Sequence, residues 1–473
     1  MSQLDAVRSN TWSSQISTHA HNKPDAVAIR VDDRTLTWRD LDDRVQTLGN
    51  WMAERGIVPG DRVALVMGNR PEFLEVVYAC TRIGAIVVPV NFRLTAAEIE
   101  YILDDSGAKV VFTDSVFGAA SRLAATAIGI DVVGAVDPQA VAADVAYDDI
   151  MAGGWSAHEP RSVSVAEAAA IMYTSGTTGR PKGAILTHEN FAATTDIVTH
   201  AWKMVGNDDV VLAATPLFHI GGYGTTTGAI RFGVPLIILP STSFDPSAVL
   251  EALGTVFADA EIVALFGQTE MSPITCVLFG RDALTKQGSV GTPAFNVQVR
   301  VVDENMVDVG VGEIGEIVYR GAGLMLGYWN NPDATAAAFD GGWFHSGDMV
   351  ARDADGYVYV VDRKKDMIIS GGENIYSAEV ERALSTHPGV LDVAVIGRSD
   401  AVLGEAVVAV IQPRDPANPP DLESVVAHCR TTLASYKKPK EIVIVDALPR
   451  NATGKVIKNS LRAKVSPSVA SAG

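Results

Sequence analysis

The stretch YTSGTTGRPKG, residues 173–183, holds three glycines, four small hydroxyl side chains and one lysine. It continues the apolar run AAAIMYT, residues 168–174, which is typical of a buried strand, so we expect the loop at a strand's end. Glycines let the backbone approach an anion with successive N–H groups pointing at it, and Lys182 adds a positive charge. Because Pro181 stands where the Walker A pattern requires its second glycine, the sequence predicts a phosphate loop of another kind. A simple Gly/Ser/Thr turn is the alternative.

Short apolar runs alternate with segments of helical spacing on both sides of this loop. This alternation predicts an α/β fold with a parallel sheet flanked by helices. The predicted strands are DRVALVM, GAIVVPV, AKVVFT, EAAAIMYT, VPLIILP and EIVALF, and the clearest predicted helices are PEFLEVVYACTRI and TAAEIEYILDDSG.

The pattern changes twice towards the C-terminus. Turn-rich alternating segments (VQVRVVDEN, GEIVYRG, GYVYVVDR) over about 288–361 predict antiparallel strands or a small barrel. From about residue 363, SAEVERALSTHPG and LESVVAHCRTTLASY predict helices, and LDVAVIGRSD and AVVAVIQPR predict strands. We therefore expect a large N-terminal domain, residues 1–364, and a compact α+β C-terminal domain, residues 365–473.

Composition excludes several classes of protein. The formal net charge of −18 at pH 7 and the pI near 4.9 argue against a nucleic-acid binder, which needs a basic face. No apolar signal peptide is recognisable, and Phe232–Leu239, among the longest apolar stretches, is too short to span a bilayer. We expect a soluble, cytoplasmic protein without a transmembrane segment, and peripheral membrane contact and a homodimer stay open. The three scattered cysteines, Cys80, Cys276 and Cys429, are expected to be buried thiols.

Five further motifs follow the loop in order: PLFHIGG (216–222), FGQTE (266–270), HSGD (345–348), DRKKDMIISGGENI (362–375) and PRNATGK (449–455). With the loop, they resemble the adenylate-forming superfamily of acyl-CoA synthetases, luciferases and peptide-synthetase adenylation domains. The likeness is greatest to actinobacterial fatty-acid–CoA ligases and runs from about Pro24 to Arg462. It implies a large domain of stacked α/β sheets with a small antiparallel barrel, and a small mobile C-terminal domain.

The resemblance also implies which residues bind ATP and Mg²⁺. The loop would hold the β- and γ-phosphates through Thr174, Ser175, Gly176, Thr177, Thr178, Gly179 and Lys182. In FGQTE, Phe266 would stack on adenine, Gly267 and Gln268 would line the nucleotide, Thr269 would contact the α-phosphate, and Glu270 would hold Mg²⁺, which requires oxygen ligands. A capping acid is the alternative for Glu270.

The C-terminal motifs imply ribose and catalytic residues. Asp348 would accept hydrogen bonds from the ribose hydroxyls and Arg363 would make a second ribose contact, although a turn residue is the alternative for Asp348. Lys455 would stabilise the charge that develops as the carboxylate attacks the α-phosphate; otherwise it is a solvated loop lysine. Lys455, Thr174 and Glu270 are the predicted catalytic residues. Lys365 matches the hinge position, and Gly371 and Gly372 would border the tunnel for coenzyme A.

His219, Gly221 and Gly222 are the predicted substrate-binding residues, and the two glycines are expected to leave volume near the acyl pocket. His219 resembles the gate between the acyl pocket and the thiol entrance, with a buried core histidine as the alternative. PLFHIGGYG carries no acidic partner for a substrate ammonium, so the sequence favours a fatty acid over an amino acid, and aryl and sterol-derived acids stay open. The implied reaction joins the acid to coenzyme A through an acyl adenylate, releasing AMP and pyrophosphate.

One departure from the family pattern lies between Phe244 and Phe266. Relatives carry several tens more residues there, including a strand, a helix and a turn that lines the acyl and adenine sites. Two alternatives to an acyl-CoA ligase stay open. One is an acyl-AMP ligase that loads a carrier protein, and the other, if the shortening is genuine, is a non-catalytic nucleotide or acyl binder.

Overall fold

The computed structural model describes residues 12–135, 139, 141–158, 163–174, 180–204, 208–239, 261–431, 433–451 and 454–465. The chain divides into two compact units. The larger unit comprises Met1–Val299 and Tyr319–Phe344, and the smaller unit comprises Arg300–Val318 and His345–Gly473. The boundary of the mobile domain at residues 364 and 365 stays a prediction.

An eight-stranded sheet in the larger unit holds both strands that flank the predicted phosphate loop. Its strands are β3 (Arg62–Val66), β4 (Ile86–Pro89), β5 (Ala108–Thr113), β6 (Asp131–Gly134), β7 (Val145–Ala146), β8 (Ala168–Thr174), β9 (Lys182–Thr187) and β17 (Gly327–Tyr328). They lie in the order β17-β9-β8-β4-β3-β5-β6-β7. All pairs from β8 to β7 are parallel, which confirms the predicted parallel sheet, whereas β8–β9 and β9–β17 are antiparallel.

Five helices accompany these strands in the sequence. They are α2 (Trp38–Glu54), α3 (Pro71–Ile83), α4 (Ala96–Ser106), α5 (Gly118–Ile128) and α6 (Tyr147–Met151). Helix α4 begins with a capping box, in which Thr95 and Glu98 accept hydrogen bonds from each other's backbone N–H, and it ends at Gly107 with φ of +61°. Helix α3 is buried over almost its whole surface, as expected for a helix enclosed by the core.

A second sheet has the order β10-β11-β1-β2. Its strands are β1 (Val27–Val31), β2 (Arg34–Thr37), β10 (Val211–Ala213) and β11 (Leu236–Ile238), and the helices beside them in sequence are α1 (Trp12–Asn22), α7 (His188–Trp202) and α8 (Ile220–Phe232). Strand β11, predicted from VPLIILP, pairs in parallel with β1 and β10.

The run EIVALF forms a strand outside the parallel sheets, which corrects the sequence-based expectation. Strand β12 (Ala264–Gly267) pairs antiparallel with β13 (Ile274–Leu278), and β13 pairs antiparallel with β14 (Thr292–Pro293). A short 3-10 turn, Thr269–Met271, joins β12 to β13, and so short a connection permits only antiparallel pairing. The short helix α9 (Gly280–Ala283) follows β13.

The turn-rich region forms a four-stranded sheet in the order β15-β16-β18-β19. Its strands are β15 (Val297–Val302), β16 (Ile314–Gly321), β18 (Phe344–Arg352) and β19 (Val358–Arg363), and helix α10 (Pro332–Ala338) precedes β18. Strands β18 and β19 are antiparallel, with Asp348 opposite Arg363.

The C-terminal part has the α+β composition that the sequence predicts. Its elements are β20 (Ile368–Ser370), β21 (Glu373–Ile375), α11 (Ser377–Ser385), β22 (Val390–Asp400), β23 (Gly404–Pro413), α12 (Leu422–His428), β24 (Glu441–Ile444) and α13 (Lys458–Val465). Two apolar clusters form its core, one on each face of β22 and β23. The predicted helix LESVVAHCRTTLASY is too long: α12 ends at His428 and two 3-10 turns follow, where β-branched threonines disfavour the helix. The predicted frayed tail, 464–473, lies mostly outside the described residues.

The cysteines and the lengths of the helices agree with the sequence-based expectations. Cys80, Cys276 and Cys429 are buried free thiols, as predicted. Within the described part of the chain, every helix is too short or too polar to cross a membrane.

Candidate active site

Strands β8 and β9 place the two ends of the predicted phosphate loop side by side. Thr174 closes β8 and lies opposite Lys182, the first residue of β9. Loop residues Ser175, Gly176, Thr177, Thr178 and Gly179 lie outside the described residues, so their predicted phosphate contacts stay predictions.

A buried carboxylate, Glu270, lies against this pair. Its Oε1 accepts a hydrogen bond from Thr174 Oγ1 at 3.2 Å and another from the Tyr328 hydroxyl at 3.0 Å. Lys182 Nζ lies 4.5 Å from the centroid of the Tyr328 ring, within cation–π distance. The structure thus brings together Thr174, Lys182 and Glu270, as the motifs imply, and adds Tyr328.

The donor set around Glu270 suits a magnesium ion that also binds phosphate. A carboxylate and a hydroxyl are hard oxygen ligands, which Mg²⁺ prefers. No group of three or more His, Cys, Asp or Glu residues that could hold a metal occurs within the described ranges. The described residues therefore offer few protein ligands for such an ion, and phosphate oxygens would have to supply the remaining ligands.

The FGQTE motif runs from β12 into the 3-10 turn that carries Glu270. Gly267 has φ of +158°, and a Cβ there would lie 1.7 Å from the Pro273 carbonyl oxygen, so only glycine fits. Phe266 and Thr269 are half-buried and remain accessible to a ligand. Gln268 Nε2 is buried and has no hydrogen-bond acceptor among the described residues. A bound nucleotide could supply that acceptor.

In the smaller unit, Asp348 and Arg363 form an ion pair on adjacent strands. Arg363 Nε lies 2.6 Å from Asp348 Oδ1, and the Asp348 side chain is 5% exposed. The backbone N–H of Asp348 donates to Ser346 Oγ, whose hydroxyl donates to the Ile317 carbonyl. Asp348 therefore lies within strand β18 and is not a turn residue, although the preceding Gly347 has φ of +71°.

Lys455 lies in a closed turn of the same unit. Its backbone N–H donates to Asn451 Oδ1 at 2.9 Å, and the Asn451 N–H donates to the Lys455 carbonyl at 2.7 Å. Desolvation of the ammonium and the charges of Arg363 and Lys365 lower the pKa of Lys455, while Asp348 opposes this shift. The structure thus places Lys455, Arg363 and Asp348 within electrostatic reach of one another.

Glu316 is a residue of this region that the sequence reasoning missed. Its Oε2 accepts a hydrogen bond from Lys364 Nζ at 2.9 Å and lies 3.2 Å from His345 Nδ1, and its Oε1 accepts from the Gly347 N–H at 3.0 Å. The carboxylate holds the HSGD segment, which carries Asp348, against β16. An acid amid the apolar run EIVY was the only available signal.

The environment of Glu316 predicts a pH dependence of stability. Burial raises its pKa, but the hydrogen bonds from Lys364, His345 and Gly347 outweigh burial, so the folded pKa lies below the usual 4.5. Its contribution is therefore present above the unfolded pKa and is lost as pH falls through the folded pKa.

We expect Glu316→Gln to lower the melting temperature at neutral pH and to converge with the wild type in acid. Thermal unfolding from pH 7 to pH 3 measures this difference. Glu405→Gln, an acid on β23 of the same unit, is the comparison, and an equal loss for Glu316→Gln at every pH would contradict the argument.

His219 is the N-cap residue of helix α8 and is exposed, so it is not a buried core histidine. Its Nδ1 accepts a hydrogen bond from the Gly221 N–H at 3.1 Å, which caps the helix and leaves the proton on Nε2 in the neutral ring. A Cβ at Gly221 would approach only the His219 ring, at 3.3 Å. The predicted gating role of His219 is compatible with this exposure and stays a prediction.

The structure gives a reason for a glycine at position 222 that the sequence did not reveal. A Cβ there would lie 2.2 Å from the Pro216 carbonyl oxygen and 2.9 Å from that of Thr215. The space beside Gly222 is therefore filled by backbone. Its role as open pocket volume finds no support in this geometry.

Gly222→Ala should lower the free energy of unfolding by about 1–3 kcal/mol, because the backbone must shift to admit the methyl group. Denaturant unfolding measures this loss. Gly221→Ala is the matched control, since its methyl group meets only a movable side chain, and equal losses for the two variants would refute the packing argument.

The predicted hinge and tunnel residues lie in exposed turns of the smaller unit. Lys365 is the middle residue of the 3-10 turn Lys364–Asp366. Gly371 and Gly372 form the turn between β20 and β21, with φ of +61° and +85°, and the Gly371 N–H donates to the Leu403 carbonyl at 2.7 Å. Both glycines have the left-handed conformation that favours this residue type.

Comparisons with known proteins agree with this arrangement. The family of AMP-binding enzymes matches residues 16–255 and 245–329, and the C-terminal domain of AMP-binding enzymes matches residues 379–455. A feruloyl-CoA synthase of an Amycolatopsis species is 37% identical over 500 residues, covering 94% of this chain and 96% of that protein. A long-chain-fatty-acid–CoA ligase of Mycobacterium tuberculosis is 34% identical over 497 residues, covering 92% and 94%. The solved o-succinylbenzoate CoA synthetase of Bacillus subtilis, in complex with its acyl-adenylate intermediate, superposes with a TM-score of 0.83 at 27% identity, covering 95% and 97%.

The chain therefore belongs to the AMP-binding enzyme family, the adenylate-forming superfamily that its motifs indicated. Within that superfamily it is an acyl-CoA synthetase, an acid–thiol ligase of the AMP-forming type. ATP, Mg²⁺ and coenzyme A are the cofactors and co-substrate of this class. The two matched segments of the larger family model overlap at residues 245–255, where the sequence indicates the shortening.

Proposed function

We propose that this protein joins a fatty acid to coenzyme A in two steps, through an acyl adenylate, releasing pyrophosphate and then AMP. The observation that carries the proposal is the convergence of Thr174, Lys182 and Glu270 at the junction of β8 and β9. A hydroxyl, an ammonium and a carboxylate in one place can bind phosphate oxygens and their counterion together.

Each charged group has a distinct part in the first step. Bound Mg²⁺ would neutralise charge on the phosphate oxygens. Lys182 would hold the phosphates that leave as pyrophosphate, and Glu270 would hold the ion. Lys455 would contact the substrate carboxylate and the α-phosphate, where negative charge accumulates as the two anions approach. Asp348 and Arg363 would orient the ribose, which fixes the α-phosphate for in-line attack.

The second step requires the thiol of coenzyme A. Its sulfur attacks the acyl carbonyl carbon, the bond to the AMP oxygen breaks, and the thiol proton is released. Gly371 and Gly372 would border the tunnel through which the thiol arrives, because residues without side chains leave room for a narrow ligand. Exclusion of water during both steps protects the mixed anhydride from hydrolysis.

The substrate class rests on charge at the start of α8. Residues 216–224 carry no acidic side chain, so a substrate ammonium would lack a partner there. A fatty acid has no ammonium group and needs no such partner, and the long-chain-fatty-acid–CoA ligase among the relatives supports this substrate class. An aryl acid is the second candidate, favoured by the feruloyl-CoA synthase at 37% identity.

ATP–pyrophosphate exchange across a panel of carboxylic acids tests the proposal. The panel should contain saturated fatty acids of increasing length, ferulate and other aryl acids, and an amino acid as the negative control. Each acid is then assayed for thioester formation with coenzyme A. Exchange with aryl acids alone would replace the fatty acid, exchange without thioester would favour the carrier-protein ligase, and no exchange with any acid would favour a non-catalytic binder.

A further inference from the structure

Tyr328 contacts two predicted ATP-site residues with two different parts of its side chain. The hydroxyl donates a hydrogen bond to Glu270 Oε1 at 3.0 Å. The ring face lies 4.5 Å from Lys182 Nζ, measured to the ring centroid. One side chain thus contacts both the predicted magnesium ligand and the predicted phosphate-binding cation.

The backbone around Tyr328 is fixed on both sides. The Leu326 N–H donates to the Ile185 carbonyl at 2.9 Å, and the Trp329 N–H donates to the Gly183 carbonyl at 2.7 Å. Strand β17 thereby pairs with β9, the strand that begins with Lys182. The Tyr328 N–H also donates to Thr335 Oγ1 at 2.9 Å. The backbone of Tyr328 is therefore held in place, so its side chain can position Glu270 and Lys182.

The hydroxyl contact selects one oxygen of the Glu270 carboxylate. Tyr328 and Thr174 both donate to Oε1. In the part of the chain that the structure describes, these bonds orient the carboxylate through a single oxygen and leave Oε2 for another ligand. Two donors on one oxygen fix the plane of a carboxylate more firmly than one donor does, because rotation would break both bonds.

We propose that Tyr328 is a positioning residue for the ATP site: its hydroxyl orients Glu270 towards the magnesium ion and its ring holds Lys182 ready for phosphate. This inference rests on the proposed function, because it requires ATP and magnesium to bind here. The two halves of the role are chemically separable, since phenylalanine keeps the ring and removes only the hydroxyl.

Equilibrium ATP binding, without acid or coenzyme A, separates the two halves of the role. The dissociation constant is measured by titration calorimetry in Mg²⁺ and in EDTA, and their ratio reports the magnesium-linked affinity. We expect Tyr328→Phe to reduce this ratio about tenfold, because a hydrogen bond to a charged group is lost, and to leave the EDTA value within about twofold. Tyr328→Leu should also weaken binding in EDTA, about threefold, because the ring contact with Lys182 is lost.

Tyr147→Phe is the matched control for a merely structural loss. It removes a hydrogen bond of the same kind, from a buried tyrosine hydroxyl to the carboxylate of Glu75, at 2.5 Å. It should lower the melting temperature without changing the magnesium ratio. A wild-type ratio in Tyr328→Phe, or equal values for Tyr328→Phe and Tyr328→Leu in EDTA, would overturn the inference and leave the proposed function intact. A wild-type protein that binds no ATP in either buffer would overturn both.

Discussion

Lys455→Ala should reduce ATP–pyrophosphate exchange by about 100- to 1000-fold while largely sparing thioester formation from supplied acyl adenylate. The lysine ammonium is the cation that we assign to the carboxylate and the α-phosphate, and the first step is the one in which two anions must approach each other. The second step starts from a neutral acyl carbonyl and a thiol, so it needs that cation far less.

The Lys455 ammonium lies among charged side chains of the smaller unit. Desolvation and the charges of Arg363 and Lys365 lower its pKa from the usual 10.5, and the charge of Asp348 acts against this shift. Asn451 closes the turn that carries Lys455 with two hydrogen bonds to the Lys455 backbone, one through its side-chain oxygen and one through its own N–H. These bonds do not use the lysine side chain, so alanine should leave the backbone in place.

Two half-reaction assays measure the effect of Lys455→Ala. Pyrophosphate exchange reports adenylation, and thioester formation from synthetic acyl adenylate and coenzyme A reports the second step. Lys464→Ala removes an exposed lysine from α13 of the same unit and should leave both rates at the wild-type level. Equal losses in both assays for Lys455→Ala would contradict the role assigned to Lys455.

The strand before the glycine-rich loop could be predicted because its pattern is local, and it is observed as β8. The resemblance implied one site for Thr174, Lys182 and Glu270, and these residues lie together in the structure, whereas their role in binding ATP stays a prediction. The local pattern at Asp348 suggested a turn, but pairing with Arg363 across β18 and β19 makes it a strand residue. Cross-strand pairing depends on the fold and is invisible in a short window.

Tyr328 and Glu316 escaped prediction for the same physical reason. Tyr328 is 58 residues from Glu270 in sequence, and only the pairing of β17 with β9 brings its hydroxyl to that carboxylate. Glu316 is 48 residues from Lys364 and meets it through the order of the four-stranded sheet. Gly222 could not be interpreted from the sequence either. The sequence suggested that this glycine leaves pocket volume, whereas in the structure it makes room for a backbone carbonyl.

Lys365→Pro should produce the opposite separation of half-reactions: near-normal pyrophosphate exchange and a loss of about 100-fold or more in thioester formation. The resemblance assigns Lys365 to the hinge between the two working orientations of the small domain. Proline fixes φ near −65° and restricts the residue before it, so a backbone rotation at this position is blocked. Gating steps of this kind commonly limit turnover, which makes a frozen hinge costly to the second step.

The backbone N–H of Lys365, which proline would remove, takes no part in the hydrogen bond that closes its turn. That hydrogen bond runs from the Met367 N–H to the Arg363 carbonyl. Lys365 is exposed, so its side chain can be removed without opening the core. Lys365→Ala, which leaves the backbone free to rotate, is therefore the matched control and should retain both half-reactions. Unchanged overall turnover in Lys365→Pro would refute the hinge assignment, and a comparable loss in Lys365→Ala would show that the side chain, not the backbone rotation, matters.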